Sequence, residues 1–216
     1  MHINYLGHSC IRLIGKDNGG TVDVVIDPFA PEYGLKLPSV EADIVLITHQ
    51  HKDHNYVKGL RGNPFVIDTA GEYERRGVFV QGIDSYHDDK EGAERGGNII
   101  YRLEIDDISV THLGDLGTTL SVKQLEKLNG TDILLIPVGG KYTLDARAAV
   151  EVINQIEPRL VIPMHYQVPG LKIALDGIDK FIKELGLKPT YEEKLKISKK
   201  DLPTEDMELV ILSCNT

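Results

Sequence analysis

The chain has 216 residues, 41% apolar and 26% charged, with a net charge of −9. This is ordinary globular composition, long enough to bury a sizeable core, so one domain spanning residues 1–216 is expected. The acidic balance argues against a nucleic-acid-binding surface, and no apolar run approaches the roughly 18–20 residues that cross a bilayer.

The start, "MHINYLGHSCIRL", is polar and alternating, with no basic-then-apolar leader, and a cytoplasmic location is expected. Cys10 and Cys214 lie at opposite ends and form no CxxC pair. They read as buried small hydrophobes or a free thiol, not as a disulfide framework. Apolar, β-branched runs at 10–14 and 21–27 predict two strands around a glycine-containing turn at 15–20. The continuous apolar run at 42–49 predicts a strand buried on both faces, and a short helix is expected at 55–60, ending near Gly62. Strands follow at 77–87, 98–105 and 108–115, the first two separated by the charged loop 88–97. Ser121 and Gln124 form a capping box, with Leu120 and Leu125 as a staple, so a helix is expected over 121–128. Residues 132–140 read as a buried strand. Ala149, Val152, Ile153 and Ile156 share one face of a helix over 145–156. A strand at 159–165 precedes a third helix marked by Ile178, Phe181, Ile182 and Leu185 and closed by Gly186, and a last strand spans 207–213. The order is strand-rich first, then alternating, which fits one α/β domain of two mixed sheets with helices on the outside.

The segment "THQHKDH" carries the chemistry. It places His49, His51, Asp53 and His54 where a buried strand runs into a loop. Histidines two apart point the same way on extended backbone, so His49 and His51 can reach one metal ion, and Asp53 and His54, past the turn, a second. Imidazole nitrogen with carboxylate oxygen suits zinc, manganese or iron. The alternative is a solvated histidine-rich loop, which the H-x-H-x-D-H spacing disfavours.

That segment resembles the signature of the metallo-β-lactamase superfamily of metal-dependent hydrolases. "LGHSCIRL", "VIDP", "HLGD", "PVGGKYTLD" and "IPMHY" agree with it in order. Together they look like the branch that includes L-ascorbate-6-phosphate lactonase and uncharacterised metal-dependent hydrolases. The resemblance covers roughly residues 2–166. It implies an αβ/βα four-layer sandwich with the metal site at one edge. It also implies the remaining ligands: His87 as the third histidine of the first site, favoured over His112; Asp115 as the bridging carboxylate; and His165 as the second-site histidine. Around them His8, Asp27 and His112 are expected to line or support the site, with Asp27 accepting the free N–H of a ligand histidine. The branch often has Ala at Ser9 and Met at Leu144; neither departure is expected to touch a ligand.

The chemistry implied is hydrolysis by a hydroxide bridging two divalent ions, zinc first, with manganese or iron as alternatives, and with Asp53 handling the proton. No G-x-S-x-G motif offers a serine nucleophile. The expected substrate is a small anionic molecule with an ester-like bond, such as a lactone, with Lys141 and Arg95 as candidate anion contacts and loop 88–97 as a candidate lid. Homo-oligomers are compatible with this reading. The rival readings are a phosphodiesterase or nuclease on the same centre, a di-iron redox protein and a non-catalytic metal-binding module.

Overall fold

The computed structural model describes residues 1–17 and 19–214; within the turn read at 15–20, Asn18 lies outside the described residues. The chain opens with β1 (His2–Gly7), β2 (Cys10–Asp17), β3 (Gly20–Ile26), β4 (Ile44–Leu46) and β5 (Phe65–Ile67). It continues with β6 (Gly71–Arg75), β7 (Val78–Tyr86), β8 (Gly97–Ile105) and β9 (Ile108–His112). Alternation then sets in: α1 (Val122–Leu128), β10 (Ile133–Pro137), α2 (Ala146–Ile156), β11 (Leu160–Met164) and α3 (Ile178–Leu185). Three short strands close it, β12 (Thr190–Glu192), β13 (Leu195–Lys196) and β14 (Glu208–Leu212).

Among the described residues these strands form two mixed sheets, ordered β13-β1-β2-β3-β4-β5 and β12-β14-β11-β10-β9-β8-β7-β6. The expected α/β sandwich is the observed architecture. β10 and β11 are buried at every position, as parallel strands covered on both faces must be. Apolar side chains of both sheets join one core cluster that includes Cys10. The helices form where local signals place them. Ser121 caps α1, its side chain accepting from Gln124 N while Gln124 Oε1 accepts from Ser121 N. Asp145 caps α2 through Ala148 N at 2.9 Å, and Ala149, Val152, Ile153 and Ile156 are its buried face. Gly186, with φ +73°, ends α3 by donating to Ile182 O. Among the described residues no helix is long and apolar enough to cross a membrane.

Two expected elements differ most from the sequence reading. The strand expected over 42–49 is only Ile44–Leu46. Beyond it Ile47 N still reaches Ile67 O, but Thr48 N donates to the Asp27 carboxylate, so a side chain ends the ladder. The helix expected at 55–60 is a single 3-10 turn, Val57–Gly59, because Tyr56 N donates to Pro28 O in the neighbouring loop rather than into a helix. β1, β5, β6, β12 and β13 had no counterpart in the reading. β6, "GEYER", has no apolar alternation and exists through its antiparallel pairing with β7.

Candidate metal centre

The site gathers where strands end. His8 lies in the turn between β1 and β2, and Asp27 directly follows β3. His49, His51, Asp53 and His54 occupy the loop after β4. His87 follows β7, His112 ends β9, Asp115 comes three residues later, and His165 follows β11. Both sheets therefore contribute.

Asp115 is the centre of the cluster. Its Oδ2 lies 3.2 Å from His54 Nε2, 3.3 Å from His87 Nε2 and 3.2 Å from His165 Nε2. His49, His51 and His87 bring one donor atom each within 4.8 Å of one another; so do His49, His54 and Asp115, and so do His8, His54 and His165. The seven residues read as ligands are thus brought to one place, and His8 lies beside them. Asp53 Oδ2 sits 3.8 Å from His54 Nε2 and 3.1 Å from His8 Nε2.

Hydrogen bonds behind the cluster set which ring nitrogens face it. A carboxylate only accepts, so the 2.9 Å contact of His54 Nδ1 with Asp27 Oδ2 puts the proton on Nδ1. Thr48 Oγ1 donates to the same Asp27 oxygen at 2.7 Å and accepts from His49 Nδ1 at 3.0 Å. In both histidines Nε2 then points inward, and among the described residues neither buried Nε2 has a hydrogen-bond partner, nor do the buried His87 Nδ1 and His8 Nδ1. Inward-facing imidazole nitrogens around a carboxylate, such as Nε2 of His49 and His54, suit a metal ion, and a hydrogen bond on the far nitrogen is how ligand histidines are oriented. The donor set fits borderline divalent ions.

The electrostatics agree. Burial pushes His49 down to about 3 and His8 down to about 4, so both are neutral at pH 7, the form that binds metal. Burial also works against charge on His54, but Asp115 and Asp27 on either side raise its pKa well above the ordinary value, so positive charge is favoured there and a metal ion would take the place of the Nε2 proton. Asp115, whose burial would raise it, is held well below the usual carboxylate range by His165 and His54. The pocket favours a cation.

His112 has no nitrogen to spare. Its Nε2 donates to Ser9 O at 3.0 Å and its Nδ1 accepts from Gly114 N at 3.0 Å. Ser9 corrects an expectation: it does touch a proposed ligand, Oγ donating to Asp115 Oδ1 at 3.2 Å. Asn98, not singled out in the sequence, accepts from Asp115 N at 2.9 Å; a polar residue opening the apolar run "NIIY" was the available signal. Thr143 Oγ1 lies 3.5 Å from His165 Nδ1. Three non-glycine residues here, His8 (φ +55°), Asp27 (φ +50°) and His165 (φ +52°), have left-handed backbone, a conformation retained where surrounding structure enforces it. Part of that enforcement is a 2.7 Å bond from His165 N to His8 O.

A groove of about 400 Å³ opens beside His49 and His51, with Arg95, Asp68 and Asp84 among its lining residues. Hollows of about 560 and 500 Å³ lie elsewhere and involve none of the site residues. Loop 88–97 is a built unit: the Asp88 carboxylate accepts from the backbone N–H groups of Lys90, Gly92, Glu94 and Arg95. It carries the Arg95 guanidinium to 5.9 Å from the Tyr142 ring centre. Lys141, next to Tyr142, is exposed.

This fold and site define a known class. Residues 2–165 match the family model described as a beta-lactamase superfamily domain, and the chain belongs to that superfamily. Its relatives narrow the class. A metal-dependent hydrolase from Methanoregula boonei is 32% identical over 82% of this chain and 86% of its own length. Another from Thermococcus onnurineus is 28% identical over 76% of this chain and 84% of its own. A crystal structure from Thermotoga maritima, described as a Zn-dependent hydrolase of the metallo-β-lactamase superfamily, is 34% identical, covers 98% of both chains and superposes with a TM-score of 0.77. The chain is an enzyme of this metal-dependent hydrolase type.

Proposed function

We propose that the protein is a single-domain, cytoplasmic hydrolase holding two divalent ions, zinc by preference, that opens an ester-like bond in a small anionic substrate. His49, His51 and His87 would hold the first ion, Asp53, His54 and His165 the second, and Asp115 both. The observation that carries this reading is Asp115 Oδ2 standing 3.2–3.3 Å from three imidazole Nε2 atoms. When bound, such an ion pair supplies hydroxide at neutral pH and stabilises developing negative charge. The chain's own groups do the rest. Asp27 and Thr48 fix the tautomers of His54 and His49. Asp53, oriented by His8, is placed to accept a proton at its carboxylate and pass it to the leaving group. Arg95, a cation lining the groove that Asp68 and Asp84 also line, would meet the substrate's anionic end, with Lys141 nearby.

The test is elemental analysis of metal-saturated protein together with a panel of lactone, thioester, carboxylic ester and phosphodiester substrates. Two ions per chain and turnover of lactones or esters are expected. At most one tightly bound ion overturns the two-ion reading, and turnover confined to phosphodiesters replaces the ester-like substrate by a phosphodiester.

A further inference from the structure

The Asp115 carboxylate has two oxygens in two different situations. Oδ2 faces the imidazoles of His54, His87 and His165. Oδ1 faces away and accepts from Ser9 Oγ at 3.2 Å; among the described residues this is its hydrogen-bond donor. Ser9 is fully buried, so water cannot take over that role without entering the site. Its own position is fixed, because Ser9 O accepts from His112 Nε2, whose other nitrogen holds Gly114 one residue before Asp115. Asp115 N is fixed in turn by Asn98 Oδ1. The backbone around the carboxylate is therefore pinned on both sides; the imidazoles face Oδ2, and Ser9 is what holds Oδ1.

Holding Oδ1 has a chemical consequence. A carboxylate presenting one oxygen can be shared between two ions; one free to turn can chelate a single ion with both oxygens, and the second site then loses a ligand. We infer that Ser9 is a positioning residue that keeps Asp115 a one-oxygen bridge and thereby sets the affinity of the second ion. The inference rests on the two-ion reading above and goes beyond it, because it gives a metal-affinity role to a residue outside the proposed ligand set.

The test is calorimetric titration of metal-free protein with Zn²⁺, repeated with Co²⁺ followed by its visible absorption, for the wild type, Ser9→Ala and Ser9→Thr. Melting of each metal-free variant establishes that it is folded. Ser9→Ala is expected to bind the first ion as the wild type does and the second about 10–100-fold more weakly, the usual scale for losing a group that orients a ligand. Ser9→Thr keeps the hydroxyl and is expected to restore the second affinity. A wild type that takes two ions while Ser9→Ala loses nothing, or loses both sites alike, overturns the inference and leaves the two-ion reading standing; a folded Ser9→Thr that stays weak does the same. A wild type that takes a single ion overturns both.

Discussion

His87 and His112 both stand at strand ends of the second sheet, and their ring nitrogens have opposite tasks. His87 turns Nε2 to Asp115 and, among the described residues, leaves Nδ1 without a hydrogen-bond partner, whereas both nitrogens of His112 are bonded to backbone. His87→Ala is therefore expected to lose one ion per chain by elemental analysis while the metal-free protein melts near the wild-type temperature. His112→Ala should do the reverse. It keeps both ions, weakened by about 10–100-fold at most. Its metal-free form melts earlier, because the buried Gly114 N–H and Ser9 C=O each lose a partner at a cost of about 1–3 kcal/mol. The opposite ranking makes His112 the ligand. Gly139 offers a second residue-scale test. A Cβ there would sit 2.1 Å from His165 O, so the glycine serves a close approach of backbone to backbone. Gly139→Ala is expected to displace His165 and weaken the second ion without touching any ligand side chain.

At the scale of elements, loop 88–97 is the part whose behaviour is least like its sequence. Its run of charges reads as a solvated loop, yet Asp88 ties four of its amides to one carboxylate. Asp88→Ala is expected to speed hydrogen exchange at Lys90, Gly92, Glu94 and Arg95 and to raise KM for an anionic substrate more than it lowers kcat. Arg95→Ala should reproduce the KM effect without the exchange effect and leave a neutral analogue unaffected. Equal changes on anionic and neutral substrates would remove Arg95 from recognition. The contrast shows what a sequence makes legible. α1 was readable from its capping box, α2 from its apolar face, and α3 from its apolar spacing and its closing Gly186. β10 and β11 were readable because parallel burial leaves unbroken apolar runs. The short β4 was not, since its end is set by Asp27, which arrives from another strand. The H-x-H-x-D-H cluster was legible because its spacing is local. Ser9 was not, because its partner is 106 positions away, and Asn98 was not, because its amide acts on Asp115 across the sheet.

At the scale of the whole molecule, the proposed ligands come from both sheets, so bound ions would fasten one edge of the sandwich. Tyr101 makes a protein-only link near that edge, its hydroxyl lying 3.0 Å from both Ile47 O and Ile67 O. Metal at about 100 times its dissociation constant should stabilise the fold by about 2.7 kcal/mol per site. Chelation is expected to lower the melting temperature accordingly and to raise exchange in the 47–55 loop before it does so in β12 or β13. Uniform exchange across both sheets would show that the ions do not fasten the edge.

The bond from His165 N to His8 O joins a turn near one end of the chain to a strand end far along it, and this bears on the order of events in time. Loop closures of that length come late, after local helices and hairpins have formed. His165 and His8 are therefore expected to reach the cluster only when both sheets have docked, with the second ion's ligand set completed after the rate-limiting barrier. Zinc is then expected to slow unfolding and to leave the refolding rate nearly unchanged. In a denaturant chevron the unfolding arm should drop with added metal while the folding arm stays in place; a metal-dependent rise in the folding arm would mean that the site assembles early.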